Sequence, residues 1–260
     1  MSCVQYHDSF FLNLDKKIEV NQKPYPHASI KNFLPTEFCS KISKDFKIPE
    51  KDSNAGIEDE VFQKTKKGLS KIDLMPASIK DLIERLNSPR FISILEKKFE
   101  IKNLVADPSL FGGGLHESFR GGFLKIHSDF VFIKKRKLKR MLNLLIYLNE
   151  DWQDNWGGAI ELWKEDMSDM FLKVSPKINN ALIFRTDLES NHGFPDPLNC
   201  PDNTSRKSIA LYYYTPYEKM IKPKKNFYAI WKKRPGVEEK KFGDNLSFFK
   251  KLKNKFFFRF

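Results

Sequence analysis

The chain has 260 residues, 40% apolar and 30% charged, which suits one large domain with a packed core. No apolar run approaches the ~18 residues of a spanning helix, and three widely spaced cysteines (Cys3, Cys39, Cys200) argue against a disulfide framework or a zinc ribbon. The net charge of +13 sits mainly at one end: residues 219–260 hold fourteen Lys/Arg against three acids, +11, so residues 1–218 carry only +2 and the charge says little about what the body of the chain binds.

The first ten residues include Asp8 and lack the basic-then-apolar order of a secretion signal, which with the cysteine usage predicts a reducing, cytoplasmic setting. Short apolar pieces at 9–14 and 18–20 read as an edge strand. Asn32-Phe33-Leu34-Pro35-Thr36-Glu37 reads as the entry of a helix reaching about Phe46, with proline near the first helical position and an acid in the first turn. Residues 47–70 are polar, lysine-rich and punctuated by Gly56 and Gly68, and read as a loop. Ile79, Leu82, Ile83 and Leu86 have helical spacing. Ser88-Pro89 then signals a new helix with Phe91, Leu95 and Phe99 on one side.

After Asp107-Pro108 the character changes to short aromatic and β-branched runs between glycines. Candidate strands are 115–119, 123–132, 140–149, 159–163, 171–174, 181–185 and 207–215. Helices first and strands afterwards predict a β-sandwich or jelly roll buttressed by N-terminal helices. The expected division is 1–106 as strand and helical support, 107–218 as the core, and 219–260 as a basic, aromatic extension.

Strand alternation brings the chemistry-bearing residues together. His127 and Asp129 share a face, their Cα atoms roughly 7 Å apart. With His192 from another strand they form two histidines and one carboxylate with an open opposite face, the donor set of non-haem Fe(II) oxygenases. Leu142, Leu144, Ile146 and Leu148 make an aliphatic face for the helices, which turns Asn143 and Tyr147 toward a cavity. Arg206, Ser208, Ala210 and Tyr212 share one face, and the Arg206 fork with Ser208 suits a carboxylate.

These stretches resemble the prolyl-4-hydroxylase-like branch of the Fe(II)/2-oxoglutarate-dependent oxygenase superfamily: 112–116 (GGGLH), 121–130 (GGFLKIHSDF), 143–152 (NLLIYLNEDW), 157–163 (GGAIELW), 192–200 (HGFPDPLNC) and 205–215 (SRKSIALYYYT). The resemblance covers about residues 104–216 and implies a mainly β double-stranded β-helix with supporting α-helices packed on one sheet. It implies iron ligands His127, Asp129 and His192. It places Arg206, Tyr147, Ser208 and Asn143 at 2-oxoglutarate, with Arg206 in the place where collagen-type members carry lysine, as in the hypoxia-factor prolyl-hydroxylase-like subgroup. Implied cofactors are Fe(2+), 2-oxoglutarate and O2, with ascorbate as an optional reductant. The reaction implied is hydroxylation of a C–H bond with succinate and CO2 as co-products, the retained Asp129 distinguishing it from halogenases. A nucleic-acid demethylase of the superfamily is expected to carry a second arginine where this chain has Ala210, Leu211 and Tyr212.

Each motif also has a plain reading. Tyr147 would serve as a core aromatic, Asn143 as a backbone-satisfying amide, and His116 and Lys125 as cavity lining. Trp152, Trp156 and Trp163 suit core or turn anchors. The run Lys134-Lys135-Arg136-Lys137, with Lys139 and Arg140, is a solvated face or the sign of an anionic substrate. Residues 245–260 read as a packing appendage or as an amphipathic contact for membrane or polyanion. The second reading of the whole is a non-catalytic binding module of the same fold.

Overall fold

The computed structural model describes residues 3–52, 54–55, 63–217 and 229–237. Four helices form one layer: α1 (Cys3–Lys17), α2 (Thr36–Asp45), α3 (Ala77–Leu86) and α4 (Pro89–Phe99). Helix α3 buries Ile79, Leu82, Ile83 and Leu86 along one stripe. Ser88 caps α4, its Oγ accepting the Phe91 N–H, with Pro89 at the first helical position where its missing N–H costs nothing. Helix α1 corrects the expected strand at 9–14. Phe10, Phe11, Leu14 and Ile18 are all buried, at spacings that fit one helical face and its continuation.

The strands are β1 (His27–Ile30), β2 (Asn54–Ala55), β3 (Gln63–Leu69), β4 (Val105–Ala106), β5 (Gly114–Ser128), β6 (Phe132–Ile133), β7 (Leu138–Tyr147), β8 (Ile160–Trp163), β9 (Met170–Val174), β10 (Ala181–Arg185), β11 (His192–Phe194), β12 (Arg206–Pro216) and β13 (Ile230–Trp231). They run β1-β10-β7-β12-β5-β11-β8-β9, antiparallel throughout, and curl into a nearly closed barrel with the topology of a double-stranded β-helix. Leu142, Leu144, Ile146 and Leu148 pack outward on the helices. Each such burial stabilises by about 1.5–3 kcal/mol. The opposite face closes the barrel, Tyr147, Leu182 and Phe184 meeting Ile160, Leu162 and Val174 from β8 and β9.

The expected strand 115–119 and the first part of 123–132 are the single strand β5, which bends at Gly121 where φ is +77°; the expected second strand stops at Ser128, and Phe132 opens the separate strand β6. Its first half pairs with β12 and its last residues with β11, so it belongs to both sides of the barrel. The expected loop at 47–70 is corrected at its end, where β3 pairs along β5 from Leu69 to Gln63. The free edge of β5 recruits that backbone, and lysines are common on such edge strands.

Candidate active site

His127 near the end of β5 and His192 opening β11 are direct cross-strand partners, which sets their rings 4.5 Å apart. Asp129 follows β5 immediately, its carboxylate oxygens 3.4 and 3.5 Å from His127 Nε2 and His192 Nε2. All three offer ligand atoms within 4.8 Å of one another. In each imidazole Nδ1 lies 2.9 Å from the carbonyl two residues upstream, Lys125 or Ser190. A carbonyl can only accept, so Nδ1 carries the proton and the Nε2 lone pair faces the shared point. Burial first, then His127, brings His192 down to about 4 against the pull of Asp129, so its ring is neutral at pH 7. Two imidazoles and one carboxylate on a single face fit a divalent metal with open positions, as Fe(II) requires.

Asp129 is held by neighbours the basic run concealed. Burial would raise its carboxyl, but Arg140, with His192 and His127, holds it well below the usual carboxylate range. Arg140 Nη2 is 3.2 Å from Asp129 Oδ2, to which Asn143 Nδ2 donates at 2.8 Å. Asn143 Oδ1 in turn accepts from Arg140 Nε at 2.7 Å and Thr186 Oγ1 at 3.1 Å. Asn143 therefore turns toward the Asp129 carboxylate of the candidate metal site. Arg140 is fully buried, not part of a solvated loop, and its guanidinium lies over the Tyr212 ring at 3.4 Å. Regular alternation would put it on the aliphatic face with Leu142. The register shift opposite Tyr213 and Tyr214 turns it inward. Lys134 to Lys137 are exposed as a solvated face, with Arg136 paired to Asp107 at 2.9 Å.

Across the barrel Arg206 is buried, yet no carboxylate pairs with it among the described residues. Its Nε donates to Gly158 O at 2.7 Å and its Nη2 to Tyr147 Oη at 3.4 Å, with the guanidinium over the Phe194 ring at 4.3 Å. Gly158 permits this: a Cβ there would meet Arg206 Cδ at 2.9 Å and Leu198 Cδ2 at 2.6 Å. Burial raises the Tyr147 phenol despite Arg206, so it stays protonated and keeps its own hydrogen to donate. Ser208 is buried opposite Tyr147 on β12. His116 occupies the neighbouring register position of β5, and Lys125 donates to Pro195 O at 3.3 Å. Trp152 anchors a turn by donating to Gly157 O and meets the Trp156 ring edge-to-face.

Three contributors had no distinct signal in the sequence. Trp231 of β13 stacks on His127 at 4.9 Å, Phe184 on His192 at 4.6 Å, and Lys66 of β3 lies in the field of Asp129, Arg206 and Arg140. The expected amphipathic segment 245–260 lies outside the described residues.

The fold and site define a double-stranded β-helix protein with a two-histidine, one-carboxylate cluster and, in the same barrel, a buried arginine with no carboxylate partner among the described residues. Residues 114–214 match the family described as the 2OG-Fe(II) oxygenase superfamily, whose cofactor and co-substrates are Fe(II), 2-oxoglutarate and O2. That match spans residues 114–214 of the 260, and the chain is prolyl-hydroxylase-like in fold. It is similar to a Pseudomonas putida prolyl-4-hydroxylase (TM-score 0.55, 16% identity, 80% of this chain and 99% of that one). It is also similar to a Trichoplax adhaerens prolyl hydroxylase in complex with a hypoxia-inducible-factor peptide (0.54, 17%, 81% and 91%). A third similar structure is HygX from Streptomyces hygroscopicus with nickel and 2-oxoglutarate bound (0.50, 9%, 89% and 97%). At these identities the likeness is one of fold. No curated protein matches the sequence. Among the described residues, no helix is long and apolar enough to cross a membrane.

Proposed function

We propose that this chain is a 2-oxoglutarate-dependent hydroxylase acting on a C–H bond of a peptidyl residue, prolyl included, or of a small molecule. The observation that carries the reading is the buried Arg206, with no carboxylate partner among the described residues, in the same barrel as His127, Asp129 and His192. An uncompensated buried guanidinium is costly, and a dicarboxylate that reaches the metal cluster with its other end offsets that cost. His127 Nε2, Asp129 and His192 Nε2 would hold the iron, and Arg206 with the Tyr147 hydroxyl and Ser208 would hold the distal carboxylate. Asn143 and Arg140 fix the Asp129 carboxylate, so we assign Asn143 to positioning that ligand instead of to the co-substrate. Iron bound there supplies O2 activation coupled to oxidative decarboxylation of the keto-acid to succinate and CO2.

The chain's own residues orient and exclude. Arg206 and Tyr147 fix the keto-acid from the far end, while Phe184 and Trp231 cover the imidazoles from two sides. In this reading residues 107–218 are the catalytic core and 1–106 its support. Part of 219–260 reaches the site through β13, which pairs with Ser128 and His127. Anaerobic Fe(II) titration with 2-oxoglutarate tests the assignment. The wild type is expected to develop the weak visible metal-to-ligand absorption of the family, and His192→Ala to lose it together with succinate formation. A wild type without the absorption favours the non-catalytic binding module; full activity in His192→Ala overturns the ligand set.

A further inference from the structure

Strands β3, β5 and β12 align Lys66, Ser118 and Arg206 in one row. Gly68, His116 and Ser208 fill the next, continued by Tyr147 of β7. Residues paired across a ladder project from the same face. Lys66 therefore shares the pocket face with Arg206, two strand spacings or about 10 Å away. Its side chain makes no hydrogen bond or ion pair among the described residues, and the residue is half-buried. Burial, then Arg206 and Arg140 against the pull of Asp129, push its ammonium down to about 8. Beside it burial, then Lys66 and Arg206, hold His116 well below its ordinary range, so that ring supplies no countercharge and is itself neutral.

We propose that Lys66 is an anion-holding subsite that receives a carboxylate or phosphate substituent of the primary substrate. The inference rests on the reading of Arg206 as keto-acid anchor. Arg140 and Asp129 offset each other. A divalent metal and Arg206 then face the two negative charges of 2-oxoglutarate, whose ends are both engaged. Lys66 is a further cation in a pocket already positive. An anionic group on the substrate provides the missing charge, on the sheet face that Lys66 shares with Arg206, about 10 Å from it.

Limited acetic anhydride labelling of the full chain, resolved by mass spectrometry, reads Lys66 directly. With Fe(II) and saturating 2-oxoglutarate under anaerobic conditions, inorganic phosphate or N-acetylglutamate amide is expected to suppress Lys66 acetylation at least tenfold. Sodium chloride at equal ionic strength is expected to leave it unchanged. The more protective of the two anions identifies the substituent. Phosphate affinity by calorimetry should fall at least tenfold in Lys66→Met and recover in Lys66→Arg. Protection by 2-oxoglutarate alone would assign Lys66 to the co-substrate and overturn the proposal. Absence of protection by either anion, or wild-type phosphate affinity in Lys66→Met, would overturn it equally. Should the visible iron–keto-acid absorption not form, the hydroxylase reading fails by itself, while labelling of the metal-free chain with and without phosphate still decides on the subsite.

Discussion

Replacing Arg206 with methionine should move stability and co-substrate binding in different directions. The side chain is buried, donates to Gly158 O and Tyr147 Oη, and has no carboxylate partner among the described residues. In the ligand-free protein, methionine removes an uncompensated charge, at the cost of leaving the Gly158 carbonyl without a donor. The ligand-free melting temperature should therefore stay level or rise. Binding of 2-oxoglutarate should lose the charge-assisted fork, about 2–5 kcal/mol, which is roughly 30- to 5,000-fold in affinity. With Ni(II) in place of iron to prevent turnover, 2-oxoglutarate at 100 times its wild-type Kd should stabilise the wild type by about 2.7 kcal/mol. That corresponds to an upward shift of about 5–11 °C. At the same concentration Arg206→Met should gain no more than about 0.9 kcal/mol. Differential scanning calorimetry reads both quantities. A variant that melts far below the wild type yet keeps its full 2-oxoglutarate shift would show that Arg206 is a structural residue, and the pocket assignment would be refuted.

Asn143→Ala should weaken metal binding about 10- to 100-fold by freeing the Asp129 carboxylate, with the KM for 2-oxoglutarate little changed; the reverse pattern would return Asn143 to the co-substrate. Gly193→Ala should cost about 1–3 kcal/mol and disturb iron binding. Its Cβ would sit 2.7 Å from the Leu124 and Lys125 carbonyl oxygens, beside His192; a variant with wild-type urea midpoint and metal affinity would contradict that packing. The metal-free protein should lose stability as pH falls from about 6.5 toward about 4. In that window the unfolded chain protonates its histidine while His192, depressed by burial, does not. Asp129, also depressed, extends the loss to lower pH as its carboxyl protonates in the unfolded chain first. Urea midpoints flat across the window would refute the His192 environment. Leu144→Ala should cost about 2–5 kcal/mol in urea unfolding, since this side chain is fully enclosed between β7 and the helices.

The metal cluster was legible because its residues are a local pair plus one distant histidine, and backbone pairing does the rest. The aliphatic face of Leu142 to Leu148 was legible because period-two alternation survives intact there. Alternation failed at Arg140, where a register shift inverts the facing, and no side-chain pattern announces a bulge. Residues 9–14 misled because a short apolar run suits strand and helix alike; the more distant Ile18 completes the helical face. Residues 63–69, QKTKKGL, hold a polar composition that suits a loop. They become a strand because the edge of β5 offers partners, a property of the fold and not of the segment. Lys66 enters the site by that route alone.

The bend at Gly121 has a mechanical meaning. One continuous strand carries the register of Arg206 on one side, through Ser118, and the imidazole of His127 on the other. The interval between Arg206 and the His127, Asp129 and His192 cluster is thus a length standard written into a single piece of backbone, braced by hydrogen bonds on both flanks. A keto-diacid one carbon shorter or longer would be gauged against that standard and engage only one end of it.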